Sequence, residues 1–368
     1  MRHFSEILHF IPDLYHLAGG PPQSVVAMAD AMHGYRSSTI IHASRRNFLL
    51  HQVNIAHEKN LMGIRALYFL WPIKLIISVL KKRNKIIHVH SLFNLFTTVV
   101  LLTLHFSSNR IYIHPRGMLE PWGIKNSKTF IKNFWLKIVF TQNFTSKCFF
   151  IASTEKEKQS ILSLFSNARV YMVPNGLSNL NKSTKNQIIT KKGARKFLFL
   201  SRLHEKKGVE FLLEVWCQKK DSNGKLYIAG SGTDMYLKLL QQRVQDLGIS
   251  DTVEFLGHVT GQNKINLFRV CDFFLFPSYS ENFGNVVPEA LSYGLPVITS
   301  SELPWDVLNE VECGVTLPHK IDSWVNVLND LNQLQDADLY KISTKCKEFS
   351  TEFDIKRIIQ KYEAVYND

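Results

Sequence analysis

The sequence predicts an α/β protein made of two doubly wound, Rossmann-like domains, each built on a parallel sheet. Three observations carry that reading. The chain of 368 residues is 45% hydrophobic and 20% charged, the composition of a globular protein long enough for two cores. Short apolar, β-rich runs alternate with helical patterns along most of its length. One polar and basic stretch, SNLNKSTKNQIITKKGAR, interrupts the alternation near the middle and has almost no core-forming residues.

Taken in order, residues 1–178 form the first predicted domain. Its strands are expected at Ile7 to Ile11, Thr39 to His42, Ile86 to His90, Arg110 to His114, Cys148 to Ala152 and Val170 to Val173. Residues 179–195 read as a linker. The second domain is expected over 196–349, with strands at Lys196 to Leu200, Lys225 to Ala229, Val253 to Leu256, Phe273 to Phe276 and Pro296 to Thr299. Helical patterns such as Val209 to Gln218 and Met235 to Leu247 separate them, and a helix of about 350–368 is expected to pack back onto the first domain. Open parallel sheets bind ligands beyond the carboxyl ends of their strands, so chemistry is to be sought directly after each strand. A cleft between two facing domains is the expected site.

The composition narrows the functional classes. The five cysteines are scattered and never form a close pair, which argues against a zinc or redox motif and suits a reducing cytosol. The opening MRHFSEILHFIPD lacks the unbroken apolar centre of a secretory signal and reads as a first strand. Leu67 to Leu80 is broken by Lys74 and Leu95 to Leu104 is too short to span a bilayer. Charge is uneven: residues 1–180 carry 21 Lys+Arg against 7 Asp+Glu, a balance of 21 − 7 = +14, whereas residues 181–368 give 23 − 24 = −1. The basic half is either a plain soluble surface or one that faces a phospholipid leaflet, a lipid-linked pyrophosphate or nucleic acid.

The most informative stretch is FFLFPSYSENFGNVVPEALSYGLPVITS, residues 273–300. It reads as a strand, a loop with Glu281, a turn at Phe283-Gly284-Asn285, a helix opened by Pro288 with Glu289 in its first turn, and another strand. Two carboxylates would straddle a helix start, a setting that suits polar sugar hydroxyls. The bland alternative is that Glu289 caps its own helix and Glu281 is an exposed loop charge. After the strand ending at Leu200, SRLHEKKG supplies Arg202 and Lys207. Two fixed cations there could stabilise charge developing on a departing diphosphate, although an Arg and a Lys near a loop are also ordinary solvated surface.

Glu281, Phe283, Gly284, Glu289, Ala290, Gly294 and Pro296 together resemble the E-x7-E signature of the retaining glycosyltransferase family 4, the glycosyl transferases group 1, whose members have the GT-B fold. The resemblance implies that Glu281 contacts the donor sugar, that Glu289 holds the nucleotide ribose, and that backbone amides at Phe283 to Asn285 help bind the sugar. Arg202 and Lys207 look like the family's phosphate clamp. Gly230 and Gly232, in IAGSGTD, would bring backbone close to the nucleotide, though a G-x-G alone is weak. Gly19 and Gly20 resemble the family's N-terminal glycine loop, with an ordinary turn at Pro21-Pro22 as the alternative. His90, His114 and Arg116 end strands and are acceptor-side candidates; many relatives carry His-Gly where this chain has Arg116-Gly117, and an arginine there could grip an acceptor phosphate.

The expected reaction is therefore retaining, hexosyl-type transfer from a UDP- or GDP-type sugar to a glycan or lipid-diphosphate-linked acceptor. No cofactor or metal is expected. The one D-x-D, Asp336-Ala337-Asp338, lies between helical segments near the C-terminus, and His88, His90 and His114 read as hydrogen-bonding rather than ligating. Resemblance of ENFGNVVPEALSYGLPVITSSELPW and PRGMLEPW to bacterial transferases of O-antigen, capsule or exopolysaccharide implies work at the cytoplasmic face of the inner membrane, in peripheral contact with anionic lipid. Two rival readings stay open. A sugar-nucleotide epimerase or glycoside phosphorylase can share the architecture. A nucleic-acid-binding module would use Phe130, Phe134 and Trp135 with Lys128, Lys132 and Lys137, a spacing better explained by an amphipathic helix; no nucleic-acid partner is expected.

Overall fold

The computed structural model describes residues 6–14, 20–42, 61–63, 71–125, 129–178, 180, 194–219 and 224–368. Gly19, Lys128 and nearly all of the predicted linker lie outside the described residues. The chain divides into two compact units, Met1–Ser178 with Phe353–Asp368, and Asn179–Glu352.

The first unit holds strands β1 (Glu6–Ile11), β2 (Ser37–His42), β3 (Leu61–Gly63), β4 (Ile86–His90), β5 (Arg110–His114), β6 (Cys148–Ala152) and β7 (Arg169–Met172). All pair in parallel, in the order β3-β2-β1-β4-β5-β6-β7, so strand order reverses between β1 and β4. Side chains alternate between the two faces. Leu8, Phe10, Ile87, Val89, Ile111 and Ile113 point to one, where Leu75, Val79, Val100, Leu101, Leu104, Leu136 and Val139 of the helices Trp71–Lys81, Leu95–Leu104 and Thr129–Val139 cover them. Asn94 starts the second of these helices by accepting from the Thr97 amide, satisfying a donor the helix cannot.

On the opposite face lie Ile7, Ile86 and Tyr112, in register with His9 and His88, since Ile7 pairs with Ile86, His9 with His88, and His88 with Tyr112. The helices Gly20–His33 and Ile355–Asn367 close this face. The latter presents Ile355, Ile358, Ile359, Tyr362, Val365 and Tyr366 at three- and four-residue spacing, a stripe that has no place to go but onto a sheet. It is fixed by a parallel bridge between Leu177 and Asp354 and by the fork of Arg36 on Glu363 at 2.8 Å.

The second unit holds β8 (Lys196–Leu200), β9 (Lys225–Ala229), β10 (Val253–Gly257), β11 (Phe273–Phe276), β12 (Val297–Ser300) and β13 (Gly314–Leu317), parallel and ordered β10-β9-β8-β11-β12-β13. Here the order reverses between β8 and β11. Both are aromatic and buried, with the Phe197 and Phe273 rings stacked 5.2 Å apart. Both units are thus doubly wound α/β sheets, the predicted class.

Two strands have no counterpart in the sequence reading. β3 has three residues, and β13 is an edge strand of four half-buried side chains, so neither shows a continuous apolar run. The helix expected to open at Pro288 starts earlier, as Val286–Ser292, with proline third; the first turn tolerates it because the N–H it lacks has no partner within the helix. Among the described residues no helix is long and apolar enough to cross a membrane.

Candidate functional site

In the second unit the loops leaving β8 and β11 emerge side by side at the reversal of strand order, where doubly wound sheets bind ligands. Backbone contacts hold them together. The Tyr279 amide donates to the Lys206 carbonyl at 2.9 Å, and the buried Ser278 hydroxyl oxygen lies 3.1 Å from the same carbonyl. Gly208, at φ +68°, ends the short 3-10 turn Glu205–Lys207 against this loop; a methyl group there would overlap the Pro277 carbonyl oxygen. This close approach brings Lys207 onto Glu281.

Lys207 Nζ and Glu281 Oε1 form an ion pair, both side chains largely withdrawn from solvent at 12% and 15% exposure. Ser278 Oγ adds a hydrogen bond to the same carboxylate oxygen at 2.8 Å, and the ammonium lies 5.6 Å from the centre of the Phe276 ring. Glu281 is therefore not an exposed loop charge. Arg202, five residues before Lys207, is exposed on the same loop. Glu289 does not spend its carboxylate on its own helix: Lys264 Nζ, from the helix Gly261–Val270, holds Glu289 Oε2 at 2.6 Å.

Between these two pairs lies the turn at Gly284, whose φ is +78°. Trp305, fully buried, donates its indole N–H to the Phe283 carbonyl at 2.6 Å and packs its ring 5.2 Å from that of Phe283. Phe283 is accordingly an anchor of the turn with a buried ring. Asn285 follows as the N-cap residue of Val286–Ser292. Gly230 and Gly232 need no nucleotide to explain them. A methyl group on Gly230 would overlap the Ser201 carbonyl oxygen, and one on Gly232 would sit 2.5 Å from that of Leu203. The loops after β8 and β9 pack backbone to backbone, with Leu203 N donating to Ser231 O at 2.8 Å. That packing by itself requires glycine at both positions.

The first unit's candidates lie in a buried histidine layer. Gly20 opens the helix Gly20–His33. His9, His88 and His90 are fully buried and His114 nearly so. Arg116, at φ +55°, donates to Ser24 Oγ at 2.8 Å and to His90 Nδ1 at 3.3 to 3.4 Å. A guanidinium only donates, so neutral His90 carries its proton on Nε2 and gives it to His9 Nδ1 at 3.2 Å. His9 is then protonated on Nε2, a buried atom with no hydrogen-bond partner among the described residues. His88 sits between His114 Nε2 at 2.7 Å and the Tyr366 hydroxyl at 2.6 Å.

Burial first, and the Arg116 charge second, hold His9 down to about 3. Burial likewise keeps His88, His90 and His114 well below their ordinary value, and pulls Arg116 down from its own. His9, His88 and His90 bring ring nitrogens within 4.8 Å of one another, the spacing of a metal site. Apart from His9 Nε2, their nitrogens are engaged with one another, with His114, Tyr366 and Arg116, and the guanidinium opposes a cation. The arrangement is that of a neutral hydrogen-bonded network.

Sequence reasoning missed Ser278, Lys264 and Trp305. Only Trp305 had a signal, as the large aromatic following the glutamate motif.

Residues 181–349 match the sequence family described as Glycosyl transferases group 1. The chain is similar to an uncharacterized glycosyltransferase of Methanocaldococcus jannaschii, 32% identical over 167 residues, 42% of each chain. It is also similar to the alpha-monoglucosyldiacylglycerol synthase of Streptococcus pneumoniae, 28% identical over 185 residues, 49% of this chain and 41% of the relative. These matches thus span about two fifths of the relatives' length. In fold, the chain resembles Anabaena HepE solved in complex with UDP, at a TM-score of 0.79 and 18% identity over 98% of this chain and 99% of that one. The match to the Glycosyl transferases group 1 family thus falls on residues 181–349, within a chain whose two doubly wound units share the fold of these glycosyltransferase neighbours.

Proposed function

We propose that this protein is a retaining glycosyltransferase that moves a hexose-type sugar from a UDP- or GDP-type donor to a glycan or lipid-diphosphate-linked acceptor. The observation that carries the reading is the Lys207–Glu281–Ser278 constellation at the β8/β11 reversal, inside the segment that matches the family. The donor diphosphate takes Lys207 and Arg202 as its cations, Glu281 orients the sugar, and Glu289 receives the ribose hydroxyls. An acceptor hydroxyl oxygen bonds to the anomeric carbon on the face the nucleotide leaves. The bond from that carbon to the β-phosphate oxygen breaks with its electron pair on the diphosphate, which also takes the acceptor's proton. No protein base and no metal are called for, since the two cations carry the developing charge.

Arg116, with hydrogen bonds to Ser24 and His90 and no ion pair to a carboxylate among the described residues, suits an acceptor phosphate. The +14 balance of residues 1–180 and the likeness to a diacylglycerol glucoside synthase favour an acceptor at the cytoplasmic face of an anionic membrane, in surface-polysaccharide or glycolipid synthesis.

The test is a panel of nucleotide sugars scored first by thermal stabilisation and then by transfer. One base and sugar should stabilise the chain and be consumed only with acceptor, in the presence of a chelator. Epimerised donor without acceptor, or phosphate-dependent glycan cleavage, would instead identify an epimerase or a phosphorylase.

A further inference from the structure

The helix Thr129–Val139 is apolar on two sides. Leu136 and Val139 enter the core of the first unit, as an amphipathic helix requires. Phe130, Phe134 and Ile138, at i, i+4 and i+8, form a second stripe with Ile131, and that stripe faces solvent. Phe130 is 83% exposed. The neighbouring helix Leu95–Leu104 runs alongside in the same direction: Lys132 lies 5.6 Å from the Phe93 ring, Trp135 donates to Thr98 Oγ1 at 2.8 Å, and His105 meets the Val139 carbonyl at 2.8 Å. Its two ends carry the exposed Leu95 and, just beyond, Phe106 at 87% exposure. Scattered exposed apolar residues are ordinary, whereas an exposed apolar stripe along one helix, beside a packed helix with exposed apolar residues at both ends, is not.

Charge identifies what covers it. Residues 71–147, which include both helices, hold 12 Lys+Arg against a single acid, Glu120, and Glu120 is buried. Lys137 and Lys147 stand exposed on or near the stripe. A protein partner matched to that surface would have to be both greasy and acidic throughout. A bilayer with anionic headgroups is both by construction, with its apolar layer directly beneath its charge.

We propose that the outer face of Thr129–Val139, flanked by Leu95 and Phe106, lays this chain on an anionic lipid bilayer. Phe130, Phe134 and Ile138 enter the acyl boundary while Lys137 and the surrounding bases contact headgroups. The proposal deepens the functional reading above by giving its membrane a contact surface, and it stands or falls on separate measurements.

The full chain is sedimented with vesicles of phosphatidylcholine mixed with phosphatidylglycerol, and with phosphatidylcholine alone. Binding to the anionic vesicles that weakens with salt is expected. The double variant Phe130→Ser/Phe134→Ser should bind at least about tenfold more weakly per phenyl withdrawn, with an unchanged far-UV spectrum. Lys137→Glu should weaken binding to anionic vesicles only. Parent chain that ignores anionic vesicles, or a double variant that binds like the parent, overturns the proposal. So does a parent that light scattering shows to be a dimer and a double variant that is a monomer, since a second copy then owns the face. Stabilisation by a nucleotide sugar is measured on the same samples: retained without vesicle binding, it sinks the membrane surface alone; lost while vesicles still bind, it sinks the transferase reading alone.

Discussion

Lys207 and Glu281, 74 residues apart in sequence, share one half-buried ion pair because the loops that carry them leave adjacent strands of a doubly wound sheet. Their contact depends on strand order, on Gly208 and on the Ser278 hydroxyl.

Charge removal at this pair should disable chemistry more than folding. Lys207→Met and Glu281→Gln are each expected to lower kcat by about 100- to 1,000-fold at saturating donor. The double variant should be far less than multiplicative, because the two act together. Steady-state kinetics on folded variants checks this; rates within a few fold of the parent would remove both residues from the mechanism.

Glu289 is expected to act on binding. Its carboxylate already orders Lys264, so Glu289→Gln should raise the donor KM by roughly tenfold with a smaller change in kcat. Titration calorimetry with the free nucleoside diphosphate reads the same loss directly.

Gly208 offers a comparison of crowding with backbone strain. Gly257 has nearly the same φ, +65°, but open space around it, so Gly257→Ala should cost only the left-handed penalty of about 1–2 kcal/mol. Gly208→Ala adds overlap with the Pro277 carbonyl and should cost several-fold more, by about 3 kcal/mol or above. Urea unfolding of the two variants measures the difference.

The histidine layer predicts acid lability with a definite sign. Folded His9 titrates at about 3 instead of 6.5, and its three neighbours are shifted the same way by the same burial. Between those values the unfolded chain binds more protons than the folded one, so stability rises with pH, is complete above about 6.5, and is lost as pH falls toward 3. His9 contributes up to about 1.4 kcal/mol per pH unit in that window, and its three neighbours act with the same sign. His9→Phe, which also removes the unpartnered Nε2, should flatten the dependence of the urea midpoint on pH.

Six strands, β4, β5, β6, β8, β9 and β11, have the bounds that their apolar runs announce, because each run is mostly buried and bounded by polar, glycine or proline residues. The edges were hidden: β13 lies half exposed and shows no run at all. Among the site residues, Glu281, Glu289 and Lys207 stood out through motif spacing, but Lys264, the partner of Glu289, comes from the helix Gly261–Val270, which spacing along one segment cannot reveal, and Ser278, on the same loop as Glu281, belongs to no charged pattern. Gly230 and Gly232 were visible as glycines while their cause, the packing of two loops, was not. Phe130 and Phe134 fit a helical period, yet period alone does not say which stripe of a doubly apolar helix turns inward.

The return of the final helix to the first unit sets an order of events during synthesis. When residue 178 leaves the ribosome, His88 and Tyr112 still await Tyr362 and Tyr366, which are translated only after the whole second unit. The first unit of this polypeptide is therefore finished after the second, and a stop codon just before residue 353 would act as a lesion in the unit that was translated first.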